Sequence, residues 1–234
     1  MNFVNKFIEF YKQDKYQELA VKDGFNALED YKCEIENLDG NTILQAQKLW
    51  KENKNGDKPI VAVFVADVSG SMEGEPLNEL KKSLLNGSRY IGEENSIGLV
   101  TYSNDVNINL PIERFDLNQR SLFTGAVQDM DASGGTATFD AIAVAVQMLL
   151  DEKEKNPDAK LMLFVLSDGE TNIGHSLDDL REILESVKIP VHTIGYNANI
   201  EALENISRIN EATSINADSD DVIYKLGSLF NAEM

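Results

Sequence analysis

Continuous apolar runs, separated by segments of helical periodicity, restrict the possible folds of this chain more than any other feature. Residues 60–66 and 161–166 contain no polar side chain. Such runs are typical of strands that are covered on both faces. Residues 77–90 and 139–150 have helical spacing of their apolar positions. Strands that alternate with helices predict a doubly wound α/β fold, with a mostly parallel central sheet and helices on both faces.

The same pattern continues to the end of the chain and divides it into two parts. Further strands are predicted at residues 97–102, 106–110, 191–195 and 213–216, and further helices at 117–130, 177–187, 200–209 and 221–230. Residues 1–58 differ, because helical periodicity at 3–11 and 42–50 is followed by a polar linker at 51–58. We therefore predict a helical N-terminal extension over residues 1–58 and an α/β domain over residues 59–234.

The charge of the chain is strongly negative and unevenly distributed. The formal net charge is −19, of which residues 1–58 contribute −2 and residues 59–234 contribute −17. So acidic a surface repels phosphate backbones and anionic membranes, and it favours cations and basic partners. Cys33 is the only cysteine, which excludes an internal disulfide and a zinc–cysteine cluster.

Oxygen-bearing side chains follow predicted strands in three places. Asp67, Ser69 and Ser71 come directly after the first strand, and Asp168 follows the strand at 161–166. Between them, Thr136 opens the helix at 139–150. In open parallel sheets, ligands bind outside the carboxyl ends of the strands. Two carboxylates with hydroxyls suit Mg²⁺, Mn²⁺ or Ca²⁺ and fit zinc or copper poorly.

These three segments resemble the metal-ion-dependent adhesion site (MIDAS) of the von Willebrand factor type A (VWA) family. The resemblance covers residues 59–234 and rests on Asp-x-Ser-x-Ser at 67–71, a threonine in the second loop and Asp-Gly at 168–169. It implies a Rossmann-like sheet with one antiparallel edge strand, which residues 106–110 fit. It also implies a single divalent cation held by five ligands, namely Asp67, Ser69, Ser71, Thr136 and Asp168.

The resemblance implies a binding function, in which the metal coordinates a carboxylate of a protein partner. No catalytic residue is predicted, because no activated nucleophile accompanies the motif. The acidic surroundings favour a partner whose Asp or Glu has basic neighbours. The alternative within the same family is an intracellular assembly subunit that works with a ring ATPase.

Two rival sites lie in the same region of the sequence. Residues 129–140 resemble an EF-hand loop, although Asp140 stands where that loop has glutamate and the helix begins too early. A Ser-His-Asp hydrolase requires a general base, for which His175 is the candidate, since His192 falls inside a predicted strand. Four other polar residues are interpreted as surrounding the metal: Glu73, Glu75, Glu170 and Asn172.

The N-terminal segment has a resemblance of its own. Residues 3–26, ending in YQELAVKDGFN, are similar to the last helix and tail of bacterial extracellular solute-binding proteins. An ordinary helical extension is the alternative interpretation. The first interpretation implies a fragment of a longer bacterial precursor at the cell surface or secreted, and the second is compatible with a cytoplasmic protein.

Overall fold

The structure is a computed structural model that describes residues 3–23, 39–53, 58–169, 171–196, 201–217 and 222–233. It divides into two compact units, Met1–Gly56 and Asp57–Met234. Glu170, residues 24–26 of the N-terminal resemblance and residues 54–57 of the predicted linker lie outside the described residues. Within the described ranges, no helix is long and apolar enough to span a membrane.

The first unit contains three described helices: α1 (Phe3–Tyr11), α2 (Asp14–Lys22) and α3 (Gly40–Asn53). Asp39 explains where α3 begins, because its carboxylate accepts hydrogen bonds from the backbone N–H groups of Asn41 and Thr42. These N–H groups have no partner within a helix, and an aspartate before the first turn supplies one. The predicted helix at 42–50 is therefore longer at both ends.

The second unit contains a six-stranded sheet in the order β3-β2-β1-β4-β5-β6. All neighbouring strands are parallel except β2 and β3, which pair antiparallel at one edge. The strands are β1 (Ile60–Asp67), β2 (Ser96–Tyr102), β3 (Val106–Arg114), β4 (Lys160–Ser167), β5 (Val191–Tyr196) and β6 (Ser214–Ala217). The predicted fold class, including the antiparallel edge strand, is confirmed.

Three helices cover each face of this sheet. One face packs against α4 (Glu75–Gly87), α5 (Leu117–Gln128) and α9 (Val222–Glu233). The other packs against α6 (Thr138–Lys155), α7 (Leu177–Val187) and α8 (Glu201–Ile209). Every residue of β1 is buried, which explains the apolar run from which this strand was predicted.

Strand β3 was predicted too short. It continues beyond Leu110 to Arg114, and Ser96 of β2 pairs with Arg114. Register shifts between Ile97 and Val100 let the ladder continue past Pro111. A bulge of this kind accommodates an extra residue in one strand of an antiparallel pair. The sequence pattern missed the extension because proline ordinarily argues against a strand.

Phenylalanine rings fill the face covered by α4, α5 and α9. Phe64 of β1 stacks on Phe164 of β4 with ring centroids 5.2 Å apart, and Phe230 of α9 contacts both rings at 5.0 Å. Phe230 is fully buried. Gly87, at the end of α4, permits this packing, because a β-carbon there would lie 2.7 Å from the Phe230 ring.

Two helical glycines therefore give a matched test of the packing. Gly125 in α5 has no atom within 4 Å of an added β-carbon. We expect Gly125→Ala to raise the free energy of unfolding by up to about 1 kcal/mol, because alanine restricts the unfolded chain. Gly87→Ala should lower it by roughly 1–3 kcal/mol, because the added methyl group would overlap with the fully buried Phe230 ring. Urea unfolding of both variants measures the difference, and a stabilised Gly87→Ala protein would contradict this packing.

Candidate metal centre

The candidate ligands lie where the central strands end. β1 ends with Asp67, β2 with Tyr102 and β4 with Ser167. Because these strands are parallel neighbours, their carboxyl ends meet at one edge of the sheet, and Asp67 pairs directly with Tyr102. Asp168 follows at the start of the next loop. This edge corresponds to the ligand-binding position of open α/β sheets.

Asp67 is a fully buried carboxylate whose hydrogen-bond partners are all neutral. Its Oδ1 accepts from the backbone N–H of Ser69 at 2.8 Å. Its Oδ2 accepts from the hydroxyls of Ser167 at 2.6 Å and Tyr102 at 3.3 Å. Burial raises the pKa of the Asp67 carboxyl and the charge of Asp168 adds to the shift, while hydrogen bonds from Ser167 and Ser69 oppose it.

No basic side chain balances this charge in the part of the chain that the structure describes. None of its ion pairs includes Asp67 or Asp168. Buried charges in proteins are usually paired with an opposite charge or coordinate a metal. The surroundings of Asp67 therefore fit a cation.

Ser69, Ser71 and Asp168 form a chain of hydrogen bonds beside Asp67. The Ser69 and Ser71 hydroxyl oxygens are 3.0 Å apart, and the Ser71 hydroxyl donates to Oδ1 of Asp168, also at 3.0 Å. Ser69 is buried, whereas Ser71 is exposed. The structure thus brings four of the predicted ligands into direct contact, with the exposed end of the chain open to solvent.

The fifth predicted ligand, Thr136, is held by backbone contacts of its loop. The N–H of Gly70 donates to the Gly134 carbonyl at 2.9 Å, and a β-carbon on Gly70 would lie 3.2 Å from that oxygen. Gly134 has a φ of +78°, which glycine adopts without strain. Among the described contacts, the Thr136 hydroxyl makes no hydrogen bond to a protein group. The Gly70–Gly134 contact thus joins the loop that carries Thr136 to the loop that carries the two serines.

Two asparagines join the loops to one another. Oδ1 of Asn172 accepts from the N–H of Thr136 at 2.9 Å, which links the loop after β4 to the start of α6. Oδ1 of Asn104 accepts from the N–H of Gly135 at 2.7 Å and thereby adds the β2–β3 turn. Asn172 was predicted to be one of the residues around the metal, whereas no role in the site was predicted for Asn104. A turn asparagine between two strands carries no signal of its own in the sequence.

Ser167 and Tyr102 were also missed by sequence reasoning. Tyr102 was predicted to end a strand, and Ser167 was predicted to open the loop after a strand, immediately before the predicted ligand Asp168. Both side chains are fully buried and contact Asp67. Burial and the charge of Asp67 raise the pKa of the Tyr102 phenol, so it remains a hydrogen-bond donor. The sequence did carry one signal for these residues: each is polar and stands at the end of a strand that neighbours β1, the strand that ends with the predicted ligand Asp67.

Other residues singled out in the sequence lie around this group. Glu73 and Glu75 are exposed near the serines. Asp140, in the first turn of α6, accepts a hydrogen bond from the backbone N–H of His175 through Oδ2 at 3.3 Å. Its Oδ1 lies 2.5 Å from Nδ1 of His175. This hydrogen bond and the negative charge of Asp140 raise the pKa of the His175 imidazole. Asp140 thus attaches the loop after β4 to α6.

The rival EF-hand loop is used differently in the fold. Asp140 bonds to His175, and the N–H of Ser133 donates to the Val68 carbonyl at 2.9 Å. The loop is thus attached to the segment after β1. Throughout the described ranges, no group of three or more His, Cys, Asp or Glu side chains is placed to hold a metal. The predicted centre at Asp67 does not meet this criterion, because it has only two carboxylates and its other three ligands are hydroxyls.

The partners of the two histidines are residues other than the predicted serine ligands. His192 is buried in β5 and stacks on Phe164 with ring centroids 5.1 Å apart, and burial lowers the pKa of its imidazole. Its Nδ1 accepts from the N–H of Thr213 at 3.2 Å. Among the described residues, neither histidine hydrogen-bonds to Ser69 or Ser71. His192 thus lies inside a strand, as predicted.

The fold agrees with the result of a comparison against protein families. The model for the von Willebrand factor type A domain matches residues 62–230. The chain belongs to the VWA family. VWA domains occur in adhesion and protein-interaction modules, and many bind a divalent metal at a MIDAS.

Relatives and solved structures show the same similarity. Inter-alpha-trypsin inhibitor heavy chain H3 of Bos taurus is 30% identical over 179 residues, which cover 69% of this chain and 20% of that protein. The chain thus spans about a fifth of this curated relative. A VWA protein from Catenulispora acidiphila has a TM-score of 0.67 and 19% identity over 74% of this chain and 42% of its own. The pilus adhesin SpaC from Lactobacillus rhamnosus GG has a TM-score of 0.62 and 18% identity, and the match covers 76% of this chain and 30% of the adhesin.

The link between the loops can be tested without metal. We expect Asn172→Ala to lower the free energy of unfolding by about 1–3 kcal/mol, because the backbone N–H of the buried residue Thr136 loses its partly buried acceptor. Asn172→Asp keeps an acceptor near the beginning of α6, where negative charge is favourable. Its free energy of unfolding should therefore fall less than that of Asn172→Ala. Urea unfolding in EDTA measures both variants. The exposed Asn118 of α5 provides a control alanine variant, and equal stability of Asn172→Ala and Asn118→Ala would contradict the proposed link.

Proposed function

We propose that this VWA domain is a divalent-cation-dependent protein-binding or adhesion module. One Mg²⁺, or alternatively Mn²⁺ or Ca²⁺, is held by Asp67, Ser69, Ser71, Thr136 and Asp168 and coordinates a carboxylate of a partner. The observation that carries this proposal is a fully buried Asp67 with only neutral hydrogen-bond partners, beside a chain of hydroxyls that leads to a second carboxylate.

The chemistry of these side chains supports a hard cation. Oxygen ligands are preferred by Mg²⁺ and Ca²⁺, whereas zinc and copper favour nitrogen and sulfur. Asp67 and Asp168 together balance the charge of a divalent ion, and the neutral hydroxyls add no further negative charge. An ion neutralised in this way is able to accept one more anionic oxygen from outside. Ser71 is exposed, which supports a coordination position that is open to solvent.

Metal binding is tested by substituting the buried ligand. Calorimetry with Mg²⁺ should show one site in the wild-type chain and none in Asp67→Asn. The amide is close in shape and keeps an acceptor for the Ser69 N–H, while the Ser167 and Tyr102 hydroxyls are able to accept from its NH₂ group. Without metal the variant should be at least as stable as wild type, because it removes an uncompensated buried charge.

A stability measurement gives an independent reading of the same site. Mg²⁺ at 100 times its Kd should raise the wild-type free energy of unfolding by about 2.7 kcal/mol and leave Asp67→Asn unchanged. Asp131→Asn is the matched control, because this exposed aspartate belongs to the rival EF-hand loop. Unchanged binding in Asp67→Asn would refute the centre, and binding lost only in Asp131→Asn would assign the metal to the rival loop.

The partner is proposed from electrostatics. The metal with its two carboxylates is close to neutral, whereas residues 59–234 carry −17 and Glu73 and Glu75 are exposed beside the site. A wholly acidic partner is repelled on approach, although salt shortens the range to about 8 Å at physiological ionic strength. The partner should therefore offer one Asp or Glu to the metal, flanked by Lys or Arg.

A peptide library built around one fixed aspartate tests this partner chemistry. Selection on the Mg²⁺-loaded domain should enrich lysine and arginine at the flanking positions. Replacing the fixed aspartate by asparagine, or adding EDTA, should abolish binding of the selected peptides. Added salt should slow their association more than it changes dissociation. Enrichment of acidic flanks, or binding that survives EDTA, would count against the proposal.

The comparisons support binding more than the other functions considered. The curated relative that is 30% identical to this chain is named as an inhibitor heavy chain. We therefore propose no catalytic residue. The alternative of an intracellular subunit that works with a ring ATPase gains no support from the family match.

A further inference from the structure

We infer that Ser167 and Tyr102 position Asp67 for the metal, and that their two hydroxyls together set the affinity of the site for Mg²⁺. Both side chains bond to the same carboxylate oxygen, Oδ2, from opposite neighbouring strands of β1. Neither residue belongs to the MIDAS pattern. The inference rests on the proposed function, since it concerns the same ion.

Ser167 connects the two carboxylate ligands. Its hydroxyl donates to Oδ2 of Asp67 at 2.6 Å and accepts from the backbone N–H of Gly169 at 3.2 Å. Asp168 stands in the sequence between Ser167 and Gly169. One buried hydroxyl therefore fixes Asp67 at the end of β1 relative to the loop that carries Asp168.

Tyr102 connects Asp67 with the beginning of α6. Its phenol oxygen is 3.3 Å from Oδ2 of Asp67 and accepts from the Thr138 hydroxyl at 3.4 Å. Thr138 is the first residue of α6, two residues after Thr136. The Tyr102 ring is fully buried among the apolar residues of the α6 face, so the position of its hydroxyl is fixed by packing.

These contacts leave Asp67 with one oxygen for an ion. A carboxylate has about four acceptor positions, and two hydroxyls occupy Oδ2. Oδ1 accepts from the Ser69 N–H and therefore faces the serine ligands. Asp67 is thus presented as a ligand through a single oxygen, which suits six-coordinate Mg²⁺. Ca²⁺ accepts carboxylates through either one or both oxygens.

The test removes each hydroxyl while keeping the shape of the side chain. Ser167→Ala and Tyr102→Phe should each weaken Mg²⁺ binding about 10-fold, the lower end of the effect known for residues that orient metal ligands. The double variant should lose more affinity for Mg²⁺ than either single variant. Because the freed Oδ2 becomes available to Ca²⁺, the Kd for Ca²⁺ should rise less than the Kd for Mg²⁺. Calorimetry with each metal measures both constants.

A second buried serine and tyrosine provide matched controls. Ser83 of α4 is fully buried and donates to the Glu79 carbonyl at 2.6 Å, and Tyr196 of β5 is buried on the same side of the sheet. That side is opposite to Tyr102. Ser83→Ala and Tyr196→Phe should bind both metals as the wild type does. Thermal unfolding in EDTA shows that each variant is folded.

The outcomes separate this inference from the proposed function. A wild-type chain that binds neither Mg²⁺ nor Ca²⁺ overturns both. A wild-type chain that binds Mg²⁺, with Ser167→Ala and Tyr102→Phe binding as tightly as the controls, overturns the inference alone. Equal losses for both metals would also overturn it, because they indicate general loosening of the fold. If Ser167→Ala does not fold, Tyr102→Phe decides, since its ring and packing are retained.

Discussion

The parallel pairing of β1 with β2 on one side and β4 on the other is the interaction on which the rest of the structure depends. It makes β1 a central strand, whose two faces are covered by helices, and it brings the ends of three strands to one edge of the sheet. Asp67, Tyr102 and Ser167 meet there only because these strands stop in register. The apolar cores on the two faces stabilise the sheet, and the sheet in turn determines the spacing of the polar groups at its edge.

A polar group of this kind is costly to the fold. A buried carboxylate that has only neutral partners keeps much of its desolvation penalty, which a hydrogen bond offsets in part. We expect a neutral residue at position 67 to be more stable than aspartate in the metal-free state. We therefore interpret the buried carboxylate as a functional compromise, in which the proposed ion supplies the opposite charge. Around it, Asn104, Asn172 and the Gly70–Gly134 contact join four segments: the loops after β1 and β4, the β2–β3 turn and the loop before α6.

Much of the fold was predictable, because burial leaves a direct trace in the sequence. Residues 60–66 and 161–166 read as strands since both faces of each are covered. The pattern failed where a local rule was overridden by tertiary structure. β3 continues through Pro111 because a bulge adapts its ladder to β2, and α4 begins at Glu75 after Gly74 with a φ of +89°, two residues before the predicted start.

By itself, the sequence determined the fold class, the family resemblance and the identity of the five candidate ligands. Spacing along one chain is sufficient for a motif such as Asp67, Ser69 and Ser71. Only the tertiary structure decided which other side chains surround Asp67. Tyr102 precedes Ser167 by more than sixty positions, roughly the length of two βαβ units. No local pattern relates such residues, since their contact with Asp67 depends on strand order, register and the depth of burial.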